Sequence, residues 1–554
     1  MLRRLGQGVA GAAVLIGVLT VAARLAGFGK QLALARTVGT NCLSTAYFTA
    51  NHIPNMVFEV VVGGALAGMV VPVLAGFAAR AAPSDRAAVS GVTSALLTWV
   101  VAALVPLAVL AAFAAAPVIR LFVGPDLPGC DTGAVVETAT RMLVVFAPQI
   151  PLYGVAVVLY GVLQAHRRFA APALAPLVSS LVVIAAYLIY VPLRGDAIGL
   201  PVPGPAELAL SAGTTLGVLA MVLTVIGPAS RLGLRLRPTF RFPEGVGPTV
   251  RRLALAGLAA LLAQQAAMAL TVVLANRGAG PGAIVAYNYA WAIYQVPYAV
   301  LAVPIATSAF PLLSTRAQHG DTAGFAATAA ATSRAVILVS GLAAGLLGAV
   351  AVPVAGVFLD GAASDVDPGA LARAIALFAP GLAGYGLIAH LSRVLYAAGR
   401  GRAAAVGTVG GWLAVMVAQT VFTLVLPPDW RLAGLALGGT LGMSAGGVTL
   451  AVAVLRARGA AALRGAGRSF AAAVLGGLAA YLAGSGVTAF AAAGGVWLSV
   501  LNTVLAAVVA AVAGAMVVML VDGREARALL ARVRRGRRTG TAGTAETIEE
   551  RVDG

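Results

Sequence analysis

Two long apolar stretches near the start of the chain, VLIGVLTVAARLAGFGKQLALARTVGT (residues 14–40) and NHIPNMVFEVVVGGALAGMVVPVL (residues 51–74), carry charged residues. Arg24 and Lys30, the only lysine of the chain, lie in the first stretch, and Glu59 lies in the second. A charge at membrane depth is costly, so it usually faces a water-filled cavity and marks a transport path. The two stretches therefore predict membrane helices that line a path for a charged cargo.

The composition of the 554 residues is typical of a membrane protein, with 60% hydrophobic and 10% charged residues and a mean hydropathy of +0.95. The formal net charge of +19 could suggest a nucleic-acid partner. The arginines, however, lie in short loops between apolar runs, which is the topology signal of membrane proteins. Nucleic-acid binding is therefore not predicted. The N-terminal apolar run is too long for a secretory signal peptide and predicts a first membrane helix.

Apolar runs long enough to cross a bilayer predict about fourteen spans. They cover residues 8–35, 43–75, 89–122, 143–165, 174–191, 208–226, 253–275, 284–313, 335–358, 371–398, 403–426, 432–455, 470–490 and 496–521. Arginine-rich loops alternate with acid-rich loops, so the positive-inside rule places both termini in the cytoplasm and requires an even number of spans. We predict an all-α polytopic protein of the cell (inner or plasma) membrane.

A weak internal repeat predicts the domain organisation. VLQAHRRFAAPA (residues 162–173) and VLYAAGRGRAAA (residues 394–405) occupy corresponding places after the fourth and tenth spans. Two parallel six-helix halves facing each other across a central cavity are a common transporter plan. The predicted parts are an N-terminal half (1–230), a C-terminal half (231–458), two additional transmembrane helices (459–522) and a basic, then disordered, cytoplasmic tail (523–554).

Polar side chains lie on one face of three predicted spans, because residues three, four and seven positions apart share a helix face. The candidate site residues are Arg24 and Lys30 on the first span, His52, Asn55 and Glu59 on the second, and Asn288 and Gln295 on the eighth. We expect these residues to meet in one cavity. The alternative is that the amides and the imidazole only hydrogen-bond neighbouring helices. For Arg24 and Lys30 the alternative is that the side chains reach the outer headgroups.

Two roles stay open for Glu59. It either forms a static ion pair with Arg24 or Lys30, or takes up a proton during a transport cycle. His390, towards the cytoplasmic end of the tenth span, is expected to anchor that span at the membrane interface. Cys42 and Cys130 are predicted on the same side of the membrane, either as a disulfide or as two free thiols. The sequence holds no Cys/His cluster, P-loop or Ser/His/Asp set, so no metal, cofactor or enzyme activity is predicted.

Four blocks resemble the MurJ (MviN) family of lipid II flippases, particularly its actinobacterial members. They are ARLAGFGKQLALARTVGT (23–40), STAYFTANHIPN (44–55), FEVVVGGALAGMVVPVL (58–74) and YNYAWAIYQVPYAVLAVPIATSAFPLLS (287–314). The resemblance implies a fold of the multidrug/oligosaccharidyl-lipid/polysaccharide (MOP) exporter superfamily and a cationic cavity. Arg24 matches the arginine of the family's R-x-x-G-F block, and Lys30 stands where a second arginine is usual. Phe58 and Ala292 depart from the pattern, because Gram-negative members carry arginine there.

The resemblance implies that the protein moves lipid II, the undecaprenyl-pyrophosphate-linked peptidoglycan precursor, from the inner to the outer leaflet. This is a step of cell wall biogenesis, on which cell shape depends. We expect alternating access, with the pyrophosphate held by Arg24 and Lys30. The alternatives are a MOP-type exporter of another polyprenyl-linked glycan or of drugs, and a non-transporting scaffold for wall synthesis. The expected partners are lipid II or a similar glycolipid, membrane lipids, and cell-wall synthesis or division proteins.

Overall fold

A computed structural model gives the structure of the chain and describes residues 9–61, 74, 83–242, 246–490 and 496–523. These residues are mainly α-helical, and their only β-type pairing is an isolated bridge between Thr40 and Ser364. A bilayer offers the backbone no hydrogen-bond partners, so a chain this apolar satisfies its N–H and C=O groups within helices. The predicted all-α polytopic fold is confirmed.

The described helices are numbered in chain order. The first eight are α1 (Val9–Thr37), α2 (Cys42–Val61), α3 (Pro83–Phe113), α4 (Ala115–Val123), α5 (Thr132–Phe146), α6 (Gln149–Ala165), α7 (Ala170–Arg194) and α8 (Gly204–Ser230). The next are α9 (Val246–Leu274), α10 (Ala283–Pro297), α11 (Val303–Gln318), α12 (Thr322–Leu359), α13 (Pro368–Phe378), α14 (Gly381–Ala397), α15 (Gly401–Val425), α16 (Pro428–Arg458), α17 (Ala466–Phe490) and α18 (Val496–Val521). Short π-helical turns follow α9 and α10.

Among the described residues, 11 helical stretches are long and apolar enough to cross a membrane, or 12 if α13 and α14, bent by 42°, form one span. Helices α1 and α2 are not among them. The residues that follow α2 lie outside the described ranges. The chain is thus a multi-pass membrane protein, and the number of about fourteen spans stays a prediction.

The chain folds into two compact units. The first comprises Met1–Ala292, Phe358–Leu371 and Gln419–Leu435, and the second comprises Ile293–Val357, Ala372–Ala418 and Ala436–Gly554. These units follow spatial packing, whereas the predicted halves (1–230 and 231–458) follow a sequence repeat. The halves and the two additional helices therefore stay a prediction.

In the first unit, a hydroxyl network holds three helices together. The Tyr47 hydroxyl of α2 lies 2.8 Å from the Tyr187 hydroxyl of α7 and 2.8 Å from Thr214 Oγ1 of α8. All three side chains are buried. Helices α7 and α8 also pack along each other, and α1 packs along α7. Polar groups buried in a membrane protein need such internal partners.

In the second unit, glycine allows α12 and α17 to pack closely. A Cβ atom on Gly345 would lie 2.1 Å from the backbone oxygen of Gly477. A Cβ atom on Gly341 would lie 2.6 Å from Ala473 Cβ. Apolar area gives little driving force between helices in lipid, so this close backbone approach is what favours their association.

The beginnings of α2 and α5 are capped and covalently joined. Asn41 Oδ1 accepts from the N–H groups of Leu43 and Ser44 at 3.0 and 3.1 Å, and Asp131 caps α5 in the same way. Cys42 directly follows Asn41, and Cys130 directly precedes Asp131. These two cysteines form a disulfide with a Cα–Cα distance of 5.8 Å. The prediction that Cys42 and Cys130 lie on the same side of the membrane is confirmed. The structure contains the disulfide and not the alternative of two free thiols. We call this end of the first unit the disulfide end.

Candidate substrate-binding site

The polar faces of α1 and α10 meet in the first unit. Gln31 follows Arg24 by seven positions and so shares its helix face. Gln31 Nε2 donates to Asn288 Oδ1 at 3.1 Å. The face of α1 that carries Arg24 is therefore turned towards α10 at this level. The structure brings together two of the three stripes that the sequence places on separate spans.

The two cations of α1 differ in burial, and both lack partners among the described residues. Arg24, near the middle of the 29-residue helix, is exposed, and Lys30 is half-buried. Neither makes an ion pair or a side-chain hydrogen bond with any residue of the described ranges. Arg24 lies 13 positions before the end of α1, about 20 Å along the axis. An unpaired guanidinium at such a depth needs water or an anionic ligand.

In the stripe of α2, one group has a partner among the described residues and two groups have none there. Asn55 Oδ1 accepts from the Tyr153 hydroxyl of α6 at 3.1 Å. His52 is half-buried, and its Nε2 has no hydrogen-bond partner within the described part of the chain. Glu59 is exposed and forms no ion pair with a described residue. The static pair of Glu59 with Arg24 or Lys30 is thus not formed in this conformation.

The stripe of α10 continues past Asn288 to Gln295, which is half-buried and belongs to the second unit. Pro297 ends this helix, and the turn Tyr298–Ala302 that follows is a π-helix. Proline removes one backbone donor and clashes with the preceding turn, which explains the irregularity. π-Helical turns frequently accompany functional sites.

At the disulfide end, backbone and side-chain hydrogen bonds join residues of the predicted N-terminal half to residues of the predicted C-terminal half. The residues involved, which we call the seal, are Thr40, Thr45, Thr49, Asn276, Gly282, Ala363 and Asp365. Thr45 Oγ1 accepts from the Gly282 N–H at 2.8 Å, and Asn276 Nδ2 donates to Thr49 Oγ1 at 3.0 Å. The N–H of Thr40 donates to Ala363 O at 3.0 Å, and its carbonyl accepts from the Asp365 N–H at 2.8 Å. All of these residues belong to the first unit.

Two glycines make this close approach possible. Gly39 has φ +87°, and a Cβ atom there would lie 1.9 Å from Ala363 O. Gly282 has φ +68°, and a Cβ atom there would lie 2.4 Å from Thr40 O. Both the left-handed backbone and the lack of space require glycine. These residues were not predicted from the sequence, because their partners lie hundreds of positions away.

Gln419 is a buried polar centre that the sequence analysis also missed. Its Nε2 donates to the Tyr287 hydroxyl at 3.1 Å and to Leu435 O at 3.0 Å, and its Oε1 accepts from Thr271 at 2.7 Å. The side chain is fully buried. Its signal in the sequence is an isolated amide within the apolar run of α15, which identifies a polar contact but not its partners. Full satisfaction of the amide indicates a structural role.

His390 of α14 is fully buried in the second unit, and its Nε2 lies 3.0 Å from Thr332 Oγ1 of α12. The expected interfacial anchoring of His390 is therefore wrong. The prediction failed because position along a span does not reveal which face of the helix is covered by neighbours.

Comparison with known proteins connects this geometry to a family. The family model described as lipid II flippase MurJ matches residues 34–516. The chain belongs to the MurJ family. A Burkholderia cenocepacia protein named lipid II flippase MurJ is 26% identical over 281 residues, which cover 50% of this chain and 52% of that protein. The chain spans about half the length of the curated relatives it matches.

Solved structures of MurJ and of a MATE transporter have the same fold. A lipid II flippase MurJ in an inward closed conformation superposes with a TM-score of 0.70 at 16% identity, covering 91% of this chain and 99% of that chain. An inward-facing multidrug resistance MATE family transporter of the MOP superfamily gives 0.64 at 15% identity, covering 80% and 97%. At these identities the likeness concerns the fold alone, which is that of the MOP superfamily.

Proposed function

We propose that this member of the MurJ family transports lipid II from the inner to the outer leaflet of the cell membrane by alternating access. The family match over residues 34–516 supports this cargo. The observation that carries the proposal is Arg24, an exposed cation near the middle of α1 without a described partner. Its helix face meets the polar stripe of α10 through Gln31 and Asn288. An anionic pyrophosphate supplies the ligand that this guanidinium lacks.

The proposed site offers cations and hydrogen-bond donors to an anion. Arg24 can bind phosphate oxygens through two parallel N–H donors, and Lys30 acts as a point charge. The oxygens of Asn55 and Asn288 are occupied by Tyr153 and Gln31. Each of these amides therefore keeps its Nδ2 hydrogens for the cargo. His52 is a further proposed polar contact in the first unit, and a role for Gln295 stays a sequence-based prediction.

Glu59 is the proposed coupling residue. It lies four positions after Asn55 on the same face of α2 and is exposed. No described cation pairs with Glu59 in this conformation. We propose that at another stage of the cycle its carboxylate either takes up a proton or forms an ion pair with a cation.

The seal supplies the gate of the proposed cycle. The positive-inside rule predicts that the disulfide end faces outward, with both termini in the cytoplasm. In that orientation the described conformation is closed to the outside, and release of lipid II requires the seal to open. Each of its hydrogen bonds has a net worth of about 0.5–1.5 kcal/mol, so opening costs only a few kcal/mol. A cost of this size is compatible with two interconverting states.

The decisive experiment measures lipid II exposed on the outer leaflet of cells depleted of this protein. Exposure should fall on depletion and recover when the wild-type gene is supplied. Recovery with wild-type protein but not with an Arg24→Ala variant expressed at equal level would tie the activity to the proposed site. Unchanged exposure after depletion would contradict lipid II transport and favour a scaffold or another cargo.

A further inference from the structure

A groove in the second unit lies between α15 and α16, and it shares no residue with the proposed lipid II site. Its volume is about 540 Å³. Arg400 and Arg456 line one end, and Val406, Val448 and Val452 line its length. Val406 and Val448 are 69% and 63% exposed, so their side chains are available to a ligand. The groove therefore has a cationic end and an apolar channel.

The packing of the two helices places the arginines side by side. A Cβ atom on Gly407 would contact Leu450, and one on Gly411 would contact Gly446. A Cβ atom on Gly442 would contact Val415. These pairs define a single antiparallel register, in which Arg400 lies opposite Arg456. Arg400 directly precedes α15, and Arg456 lies in the last turn of α16. Both charges therefore mark the same end of the helix pair.

The groove has the depth of a lipid chain. Val448 precedes Arg456 by eight positions, which corresponds to about 12 Å along α16. One leaflet contributes about 15 Å to the hydrocarbon core. When the arginines lie at headgroup level, the valines lie among the acyl chains of the same leaflet.

The charges of the groove are uncompensated within the described part of the chain. Neither Arg400 nor Arg456 makes an ion pair there, and no carboxylate is among the described lining residues. The neighbouring Arg458 is different, because its guanidinium packs over the Phe325 ring at 4.5 Å from the centroid. Among the described residues that line the groove, Arg400 and Arg456 are therefore the cations available to an anion at this end.

We propose that this groove binds an anionic phospholipid, with its phosphate between Arg400 and Arg456 and one acyl chain along Val406, Val448 and Val452. Charge and shape both favour this occupant. A free phosphate would leave the valines uncovered, and a zwitterionic lipid would bring no net negative charge to the two arginines. The positive-inside prediction places this end at the cytoplasmic face, where basic residues attract anionic lipids. The site is independent of the lipid II proposal, since none of its residues belongs to that site.

Native mass spectrometry of the full-length protein in detergent tests the proposal. Wild-type protein is titrated with phosphatidylglycerol, with phosphatidylcholine, and with phosphatidylglycerol in the presence of excess inorganic phosphate. The double variant Arg400→Ala/Arg456→Ala removes the cationic end, and Val448→Trp fills the channel without changing charge. Arg402→Ala is the matched control, because Arg402 is an exposed arginine two positions away that does not line the groove.

Wild-type protein should retain one tightly bound phosphatidylglycerol that phosphatidylcholine does not replace and phosphate does not displace. The double variant should bind it about thirtyfold more weakly. Val448→Trp should also lose the lipid, whereas Arg402→Ala and a charge-preserving Arg400→Lys/Arg456→Lys variant should retain it. Equal retention by the double variant, equal retention of phosphatidylcholine, or displacement by phosphate would each overturn the proposal. Unfolding temperatures measured on the same samples confirm that the variants are folded.

Discussion

Single polar residues within the spans fall into two groups, those with partners and those without. Gln419 is fully buried, and every hydrogen-bonding atom of its amide has found a protein partner. Arg24 and Glu59 are exposed and have no ionic partner in the described ranges. Satisfied groups hold the structure together, whereas unsatisfied charges at membrane depth need a ligand or water. This difference is the residue-level argument for a transport site.

Replacing Arg24 by alanine should abolish complementation of a depleted strain at normal expression. The substitution removes charge-assisted contacts with pyrophosphate worth about 1.5–3 kcal/mol, which is roughly a tenfold to hundredfold loss of affinity. Arg24→Lys, which keeps the charge but not the planar fork, should retain partial activity. Growth of the depleted strain and membrane levels of each variant provide the measurement. Full complementation by Arg24→Ala would refute the assignment of this site.

Replacing Glu59 by glutamine keeps the size and hydrogen bonding of the side chain but removes its charge. If the carboxylate takes up a proton during the cycle, the variant should bind lipid II normally yet transport it slowly, with an altered pH dependence. Binding and transport are measured separately in proteoliposomes between acidic and neutral pH. A variant with the wild-type pH profile would instead support a static ion pair formed in another conformation.

At the scale of helices, apolar runs predicted where spans occur but not where they break. The predicted third span (89–122) covers most of α3 and all of α4 except Val123, and the tenth (371–398) falls on the bent pair α13 and α14. The breaks after α5 and after α13 both fall at Phe-Ala-Pro, with Pro148 and Pro380 before the next helix. Proline lacks the donor that a continuous helix needs. This second repeated motif supports the predicted six-helix halves and was visible in the sequence.

The seal between α2 and the segment before α10 can be weakened without introducing bulk. Thr45→Val removes the acceptor of the Gly282 N–H and leaves this buried donor unpaired, at a cost of about 1–3 kcal/mol. The unfolding temperature in detergent should fall, whereas Thr45→Ser, which keeps the hydroxyl, should stay close to wild type. Equal unfolding temperatures for the valine and serine variants would show that this hydrogen bond contributes nothing to closure.

Glycine packing of α12 against α17 can be tested with two alanine substitutions. Gly345→Ala places a methyl group against the backbone of Gly477 and should destabilise the protein by about 1–3 kcal/mol. Gly410→Ala is the matched control, because a Cβ atom at this mid-helix position meets nothing within 4 Å. Alanine is the better helix former, so the control should be neutral or slightly stabilising. Similar thermal stability of both variants would contradict the close packing.

At the scale of the whole molecule, the sequence pattern predicts the class of fold but not the contacts between helices that are far apart in the chain. Apolar runs and arginine-rich loops predicted a polytopic protein, and spacing selected polar faces such as that of Arg24 and Gln31. Spacing could not reveal that Gln31 meets Asn288, or that Cys42 and Cys130 are bonded. Such contacts depend on how helices far apart in sequence are arranged, and the local pattern carries no information about that arrangement. The bonded cysteines now provide a fixed reference point for the topology.

Membrane orientation follows from the positive-inside rule, which predicts Cys42 and Cys130 outside and the arginine-rich segment after α8 inside. After reduction of intact cells, a membrane-impermeant thiol reagent should therefore label Cys42 and Cys130, both half-buried. In a protein lacking both cysteines, Ser230→Cys at the exposed end of α8 should stay unlabelled until the membrane is opened. Labelling of denatured samples gives the total for each site, and the labelling of intact cells is expressed as a fraction of that total. Labelling of Ser230→Cys in intact cells, or protection of the native cysteines until lysis, would invert the orientation and place the seal on the cytoplasmic side.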